Sequence, residues 1–123
     1  MEALATILLL LLLTNPTQAA HKHKEAYYQK IDCDKKKGIT EYKLPNSKRV
    51  DCLTKHKAIE HDWAVGKNYE CLGQALYYSM MTKKKGVCSL ILEKAGHMRY
   101  VNDIRKTIDY HNLDIELETI RGY

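Results

Sequence analysis

Three carboxylates stand at a spacing suited to metal chemistry. Asp51 and Glu60 are nine residues apart, about the distance around a short hairpin, and Asp62 follows Glu60 by two. Residues two apart in a strand share a face, so Asp62 lies on Glu60's side. If Asp51 and Glu60 occupy neighbouring strands, three acids converge on one sheet face. Left alone, such a cluster repels itself and its pKa values rise. A divalent cation removes that cost, and an all-oxygen ligand set suits Mg2+ or Mn2+.

A second signal follows in the chain. Lys67, Gln74 and Tyr78 are spaced i, i+7 and i+11. At 100° per residue they fall within about 40° of one another, so one helix face presents an amine, an amide and a phenol. Next to the acids, Lys67 could stabilise a phosphate or orient a water. Each residue also has an ordinary reading: solvated strand acids, a surface lysine, a packed tyrosine. Gln74 is the more informative, because an amide in an apolar stretch needs partners. Glu25, further upstream, is a fourth carboxylate that could join the group.

The elements that must position these groups follow from periodicity. Residues 21–31 mix charge with Tyr27, Tyr28 and Ile31 and suit a short helix. Lys35-Lys36-Lys37-Gly38 is a turn. Residues 39–44, 49–53 and 57–63 read as three antiparallel strands, separated by Pro45-Asn46-Ser47 and by Thr54-Lys55-His56. From Ala64 the period becomes helical through Tyr69, Leu72, Leu76 and Met80. That helix should end near Thr82, with Lys83–Lys85 at its C-terminus and Gly86 closing it. Residues 87–93 form a largely apolar run, as in a central strand. Residues 97–111 form a second long amphipathic helix, and 114–120 a last strand. The predicted order is α-β-β-β-α-β-α-β: an α/β fold, with a mixed sheet of four or five strands flanked by helices.

This layout resembles the PD-(D/E)XK, or restriction endonuclease-like, nuclease superfamily. The matching segments are Arg49-Val50-Asp51, Ala58-Ile59-Glu60-His61-Asp62-Trp63 and Gly73-Gln74-Ala75-Leu76-Tyr77-Tyr78. Gln74 and Tyr78 are similar to the Q-x-x-x-Y motif of the RecB-like branch. The resemblance spans roughly residues 22–120. It implies a restriction endonuclease-like core in which Asp51, Glu60 and the backbone carbonyl of His61 hold Mg2+ or Mn2+. It also implies hydrolysis of a phosphodiester in nucleic acid, with DNA the expected substrate, and Gln74 and Tyr78 lining the site. The motif places a lysine two residues after the glutamate, where this chain has Asp62. Lys67 then takes the place of a migrated lysine, a substitution the superfamily allows. The alternative is a catalytically inactive nuclease-fold module that binds nucleic acid or a protein partner.

Composition bounds the rest. The chain has 123 residues and a formal net charge of +5, with nine Tyr and one Trp. That excludes a multidomain enzyme, a collagen-like chain and a coiled coil, and leaves enough to bury for one ordered domain. Residues 1–19 resemble a secretory leader, with an apolar run at Ile7–Leu13, then Asn15-Pro16, then small residues. Its n-region has Glu2 and no basic residue. The expected product is a single domain over 20–123, secreted or periplasmic and with no stable membrane insertion. In that compartment Cys33, Cys52, Cys71 and Cys88 could form disulfides, in any of three pairings. No CxxC pair, G-x-S-x-G, H-E-x-x-H or P-loop occurs. With cleavage after Ala20, His23 would be the third residue of a free terminus, a candidate square-planar Cu2+ or Ni2+ site.

Overall fold

The computed structural model describes residues 21–123; the leader expected over residues 1–19 lies outside them. Three helices and five strands follow the predicted order. They are α1 (Glu25–Lys35), β1 (Ile39–Lys43), β2 (Arg49–Leu53), β3 (Lys57–Trp63), α2 (Ala64–Thr82), β4 (Lys85–Leu92), α3 (Met98–His111) and β5 (Ile115–Arg121). A 3-10 turn at Ala95–His97 leads into α3.

One mixed sheet runs β1-β2-β3-β4-β5. The first three strands form an antiparallel meander, while β3, β4 and β5 run parallel. Parallel neighbours need crossovers, and α2 and α3 supply them. Alternation sorts the side chains into three layers. On one face Cys88, Leu90 and Leu92 of β4 pack with Leu72 and Ala75 of α2 and with Val101 and Ile104 of α3. On the other, Val87 and Ile59 meet Cys33 of α1, and Ile91 meets Tyr28 and Trp63. Because β4 is covered on both faces, it reads as a largely apolar run, interrupted by Ser89. Each fully buried Ile or Leu contributes roughly 1.5–3 kcal/mol.

Two disulfides pin a helix to each face. Cys33–Cys52 joins α1 to β2, and Cys71–Cys88 joins α2 to β4. Loops of this length each add about 3 kcal/mol on the chain-entropy account. The Cys33–Cys52 sulfurs crowd Gly38, where a Cβ would meet both of them. No helix among the described residues is long and apolar enough to cross a membrane.

Three details differ from expectation. Helix α2 is closed by Lys83 in the left-handed region and not by Gly86, and Lys85 and Gly86 already belong to β4. Helix α1 starts at Glu25 and runs on to Lys35, because Asp32 and Cys33 face the sheet although neither reads as an apolar anchor. In α2 the geometry breaks at Val65 and Gly66, the latter at φ 77°, before the regular helix begins at Lys67. Glycine takes that left-handed turn without a Cβ penalty.

Candidate active site

The strands β2 and β3 are paired at only two positions, Cys52 with Ile59 and Leu53 with Ala58. The next position in that register would be Asp51 opposite Glu60. There the ladder opens, and side chains replace it. Glu60 Oε1 accepts from the Asp51 N–H at 3.2 Å, and Asp51 Oδ2 accepts from the His61 N–H at 2.8 Å. The acids thus satisfy backbone donors that the splayed strands would otherwise leave orphaned. Since His61 N–H points at β2, its carbonyl projects to the same edge, beside Asp51.

Strand alternation decides which neighbours each residue meets. Glu60 and Asp62 are buried on the α2 side, at 3% and 4% exposure. Burial, and then the nearby Asp51 charge, push Glu60 up to about 9. Burial also raises Asp51, although the His61 N–H and ring and the Glu60 side chain pull the other way. Asp62 is pushed up to about 8 by burial, then by Glu25 and Glu70. Its Oδ2 is buried without a partner. Glu25, from the first turn of α1, lies near Asp62 and is itself raised by burial, with Lys67 opposing the shift. Four carboxyls from α1, β2 and β3 therefore converge.

The helix groups fall beside them. Lys67 lies close enough to Asp62 and Glu25 to oppose their protonation, and is exposed. Tyr78 is buried against Glu60 and Asp51, and burial followed by those two charges raises its phenol. Gln74 sits half-buried one turn before it on the same stripe. Among the described residues, no three His, Cys, Asp or Glu side chains form a ready-made metal site. The donors that could take one are the free oxygens of Asp51 and Glu60 with the His61 carbonyl, an all-oxygen set suited to a hard cation.

The chain matches no family model, no curated protein and no solved structure. Its geometry therefore has to carry the functional reading.

Two residues at the site escaped the sequence reading. Gln29 of α1, 6% exposed, donates from Nε2 to Glu41 Oε1 at 2.8 Å and to the Asp51 carbonyl at 3.0 Å. Glu41 lies opposite Asp51 in the β1–β2 register, in the gap between the pairs Thr40–Cys52 and Tyr42–Val50. Its φ of 54° is left-handed, a conformation that a non-glycine strand residue holds only at a cost of about 1–3 kcal/mol. Its charge adds to the repulsion on Asp51. Hairpin counting about Asn46 would have placed 41 opposite 51.

The His61 side chain is a separate matter. It points to the α1 side, fully buried, with Nε2 2.8 Å from Asp32 Oδ2. Asp32 also accepts from Lys36 Nζ at 2.8 Å, and Lys36 in turn bonds Glu118 of β5. Ser89 lies between His61 and Glu118 in the parallel register. Serine, histidine and aspartate thus meet as residue types, but Ser89 is fully buried and lines neither of the two main cavities. All four cysteines are in disulfides, which leaves no thiol nucleophile. His21 and His23 are docked by stacking, His21 on Trp63 and His23 on Tyr27.

Proposed function

We propose that the chain is an exported, metal-dependent nuclease-like protein that hydrolyses phosphodiester bonds of nucleic acid, DNA being the first substrate to test. What carries the reading is the Asp51–Glu60 pair at the fork of β2 and β3. Buried Glu60 stands there beside half-buried Asp51, and both carboxyls are raised, a cost that a cation would remove. The α/β order and the Lys67–Gln74–Tyr78 stripe beside the acids support the restriction endonuclease-like core implied by the sequence resemblance.

Asp51, Glu60 and the His61 carbonyl would hold Mg2+ or Mn2+. Such an ion, once bound, supplies polarisation of a phosphoryl oxygen and a more acidic water. The chain's own groups do the rest. Asp51 and Glu60 would serve as the two anionic carboxylate ligands. Lys67, exposed at the mouth, neutralises charge building on the phosphate. Asp62, raised to about 8, can hold a proton at neutral pH and give it to the departing oxygen. Tyr78 borders Glu60 and Asp51, and with Gln74 one turn before it would orient the substrate backbone. Two disulfides suit an oxidising compartment, secreted or periplasmic.

One observation favours a second reading, a nuclease-fold module that binds without cutting. Asp62 replaces the motif lysine, and it adds a carboxyl where a phosphate would approach. The deciding experiment is cleavage of plasmid and single-stranded substrates in Mn2+, Mg2+ or chelator, beside Glu60→Ala. Metal-dependent cutting that Glu60→Ala abolishes supports the enzyme. A folded protein that cuts in no metal sinks it and leaves the binding module.

A further inference from the structure

Two cavities of about 530 and 810 Å3 adjoin beyond the acid cluster, and they share Lys22, Gly122 and Tyr123. Together they make a groove. One end reaches Lys67, beside Asp62; the other runs along α1 past Tyr27 to Lys35. Its walls carry five cations: Lys22, Lys35, Lys67, Lys94 and Arg121. All five are exposed, and none is among the ion pairs of the described residues. The Asp32 carboxylate at the floor is already paired with Lys36 and lies 2.8 Å from His61 Nε2.

Trp63 forms part of the same wall. The His21 ring lies on its indole with centroids 3.9 Å apart and planes 2° from parallel. His21 Nδ1 is 2.7 Å from Glu93 Oε1. A flat nitrogen heterocycle is thus stacked on an aromatic face while its edge meets a fixed carboxylate. That is also how an unpaired nucleobase is held, by stacking plus one edge hydrogen bond. His21 is half-exposed and precedes the first helix, and its contacts are the stack on Trp63 and the bond to Glu93. A base in its place would take over both.

We infer that this groove binds single-stranded nucleic acid, with a base stacked on Trp63 in the place of His21 and the backbone led past Lys22 and Lys94 to Lys67. The inference rests on the nuclease reading only for what happens at the end of the track; the groove itself stands on its own chemistry. A cationic track punctuated by aromatic faces is the general solution for strands bound without sequence preference. A duplex keeps its bases paired and cannot offer one to Trp63. A simple polyanion satisfies the lysines but leaves the indole unused.

Trp63 is the chain's one tryptophan, so its fluorescence reports the seat directly. The full chain, in chelator to prevent hydrolysis, is titrated with oligothymidylate, oligouridylate, a duplex of equal length and inorganic polyphosphate. The expected result is saturable quenching by one or both single strands, about tenfold tighter than by the duplex. Lys22→Glu with Arg121→Glu should weaken it, and Lys22→Ala should lower the salt slope by about 0.7. His21→Ala should tighten binding several-fold, because the seat is then empty, whereas a merely structural His21 would loosen it. No response to either single strand, or polyphosphate matching them per phosphate, overturns the inference. Quenching without metal-dependent cutting would sink the nuclease and leave the groove standing. Cutting with an unresponsive Trp63 would do the reverse.

Discussion

The two faces of the sheet treat buried charge in opposite ways. On the α1 face, His61, Asp32, Lys36 and Glu118 form a chain in which every charge has a partner. Burial alone would raise Asp32, but hydrogen bonds from His61 and Lys36 outweigh it and hold the carboxyl below its ordinary value. Burial likewise opposes the Lys36 charge, and Asp32 and Glu118 overturn that effect. On the α2 face Glu60 and Asp62 are buried with mainly other acids for company, half-buried Asp51 stands beside them, and all three are raised. A folded chain gains from the first arrangement and is strained by the second. Acids retained where they destabilise the fold point to a role in binding.

The largest way to break the contrast is on the paired face. Asp32→Ala strands buried His61 without its acceptor and leaves Lys36 only Glu118, and should cost about 3 kcal/mol, read by urea unfolding at pH 7. A loss under about 1 kcal/mol would mean the chain of charges is ornamental. Glu60→Gln should act with the opposite sign. It removes the cost of keeping a protonated acid while leaving an acceptor for the Asp51 N–H, so the variant should gain about 2 kcal/mol at pH 8 and lose activity. That gain should shrink towards pH 5, where the unfolded chain's glutamate also takes up a proton.

Acid should separate the faces without any mutation. An acid raised by folding keeps a proton that the unfolded chain has released. Stability therefore falls as pH rises from the ordinary Glu value of 4.5 towards 9 for Glu60, and from 3.8 towards 8 for Asp62. The depressed Asp32 does the reverse: its contribution is complete above 3.8 and is lost as pH drops through its lower folded value. Thermal melts in chelator should give a higher Tm at pH 5 than at pH 8. Mn2+ at pH 8 should recover a few degrees in the wild type and none in Asp51→Ala. A Tm flat between the two pH values would count against the strained pair. The smallest test is Glu41→Gln, which removes a repelling charge opposite Asp51 and should gain about 0.5 kcal/mol at pH 8.

Much of the acid site was legible because it is local. Asp51, Glu60 and Asp62 lie in one hairpin, where strand alternation and turn positions set who faces whom. Strand bounds in β2 and β3 match the reading for the same reason. The Lys67–Gln74–Tyr78 stripe followed from helical periodicity alone. What escaped depends on the third dimension. His61 and Asp32 are 29 residues apart, and nothing local to either announces the other. Gln29 reaches Asp51 only because α1 folds back over the meander. Asp32 and Cys33, carrying polarity and sulfur on the inward side of α1, hid its true end from a search for apolar stripes. The pairing of four cysteines was undetermined until the helices had been placed on their faces.

The opening between β2 and β3 has one more consequence. The parallel strands are joined at seven positions each, but β2 meets β3 at two. The β1–β2 hairpin is therefore the most loosely sewn part of the sheet, and a large share of its stitching consists of Asp51 and Glu60 themselves. Whatever binds between those two acids closes the seam like a clasp. Occupancy should be readable far from any chemistry, as slowed amide exchange along the outer hairpin.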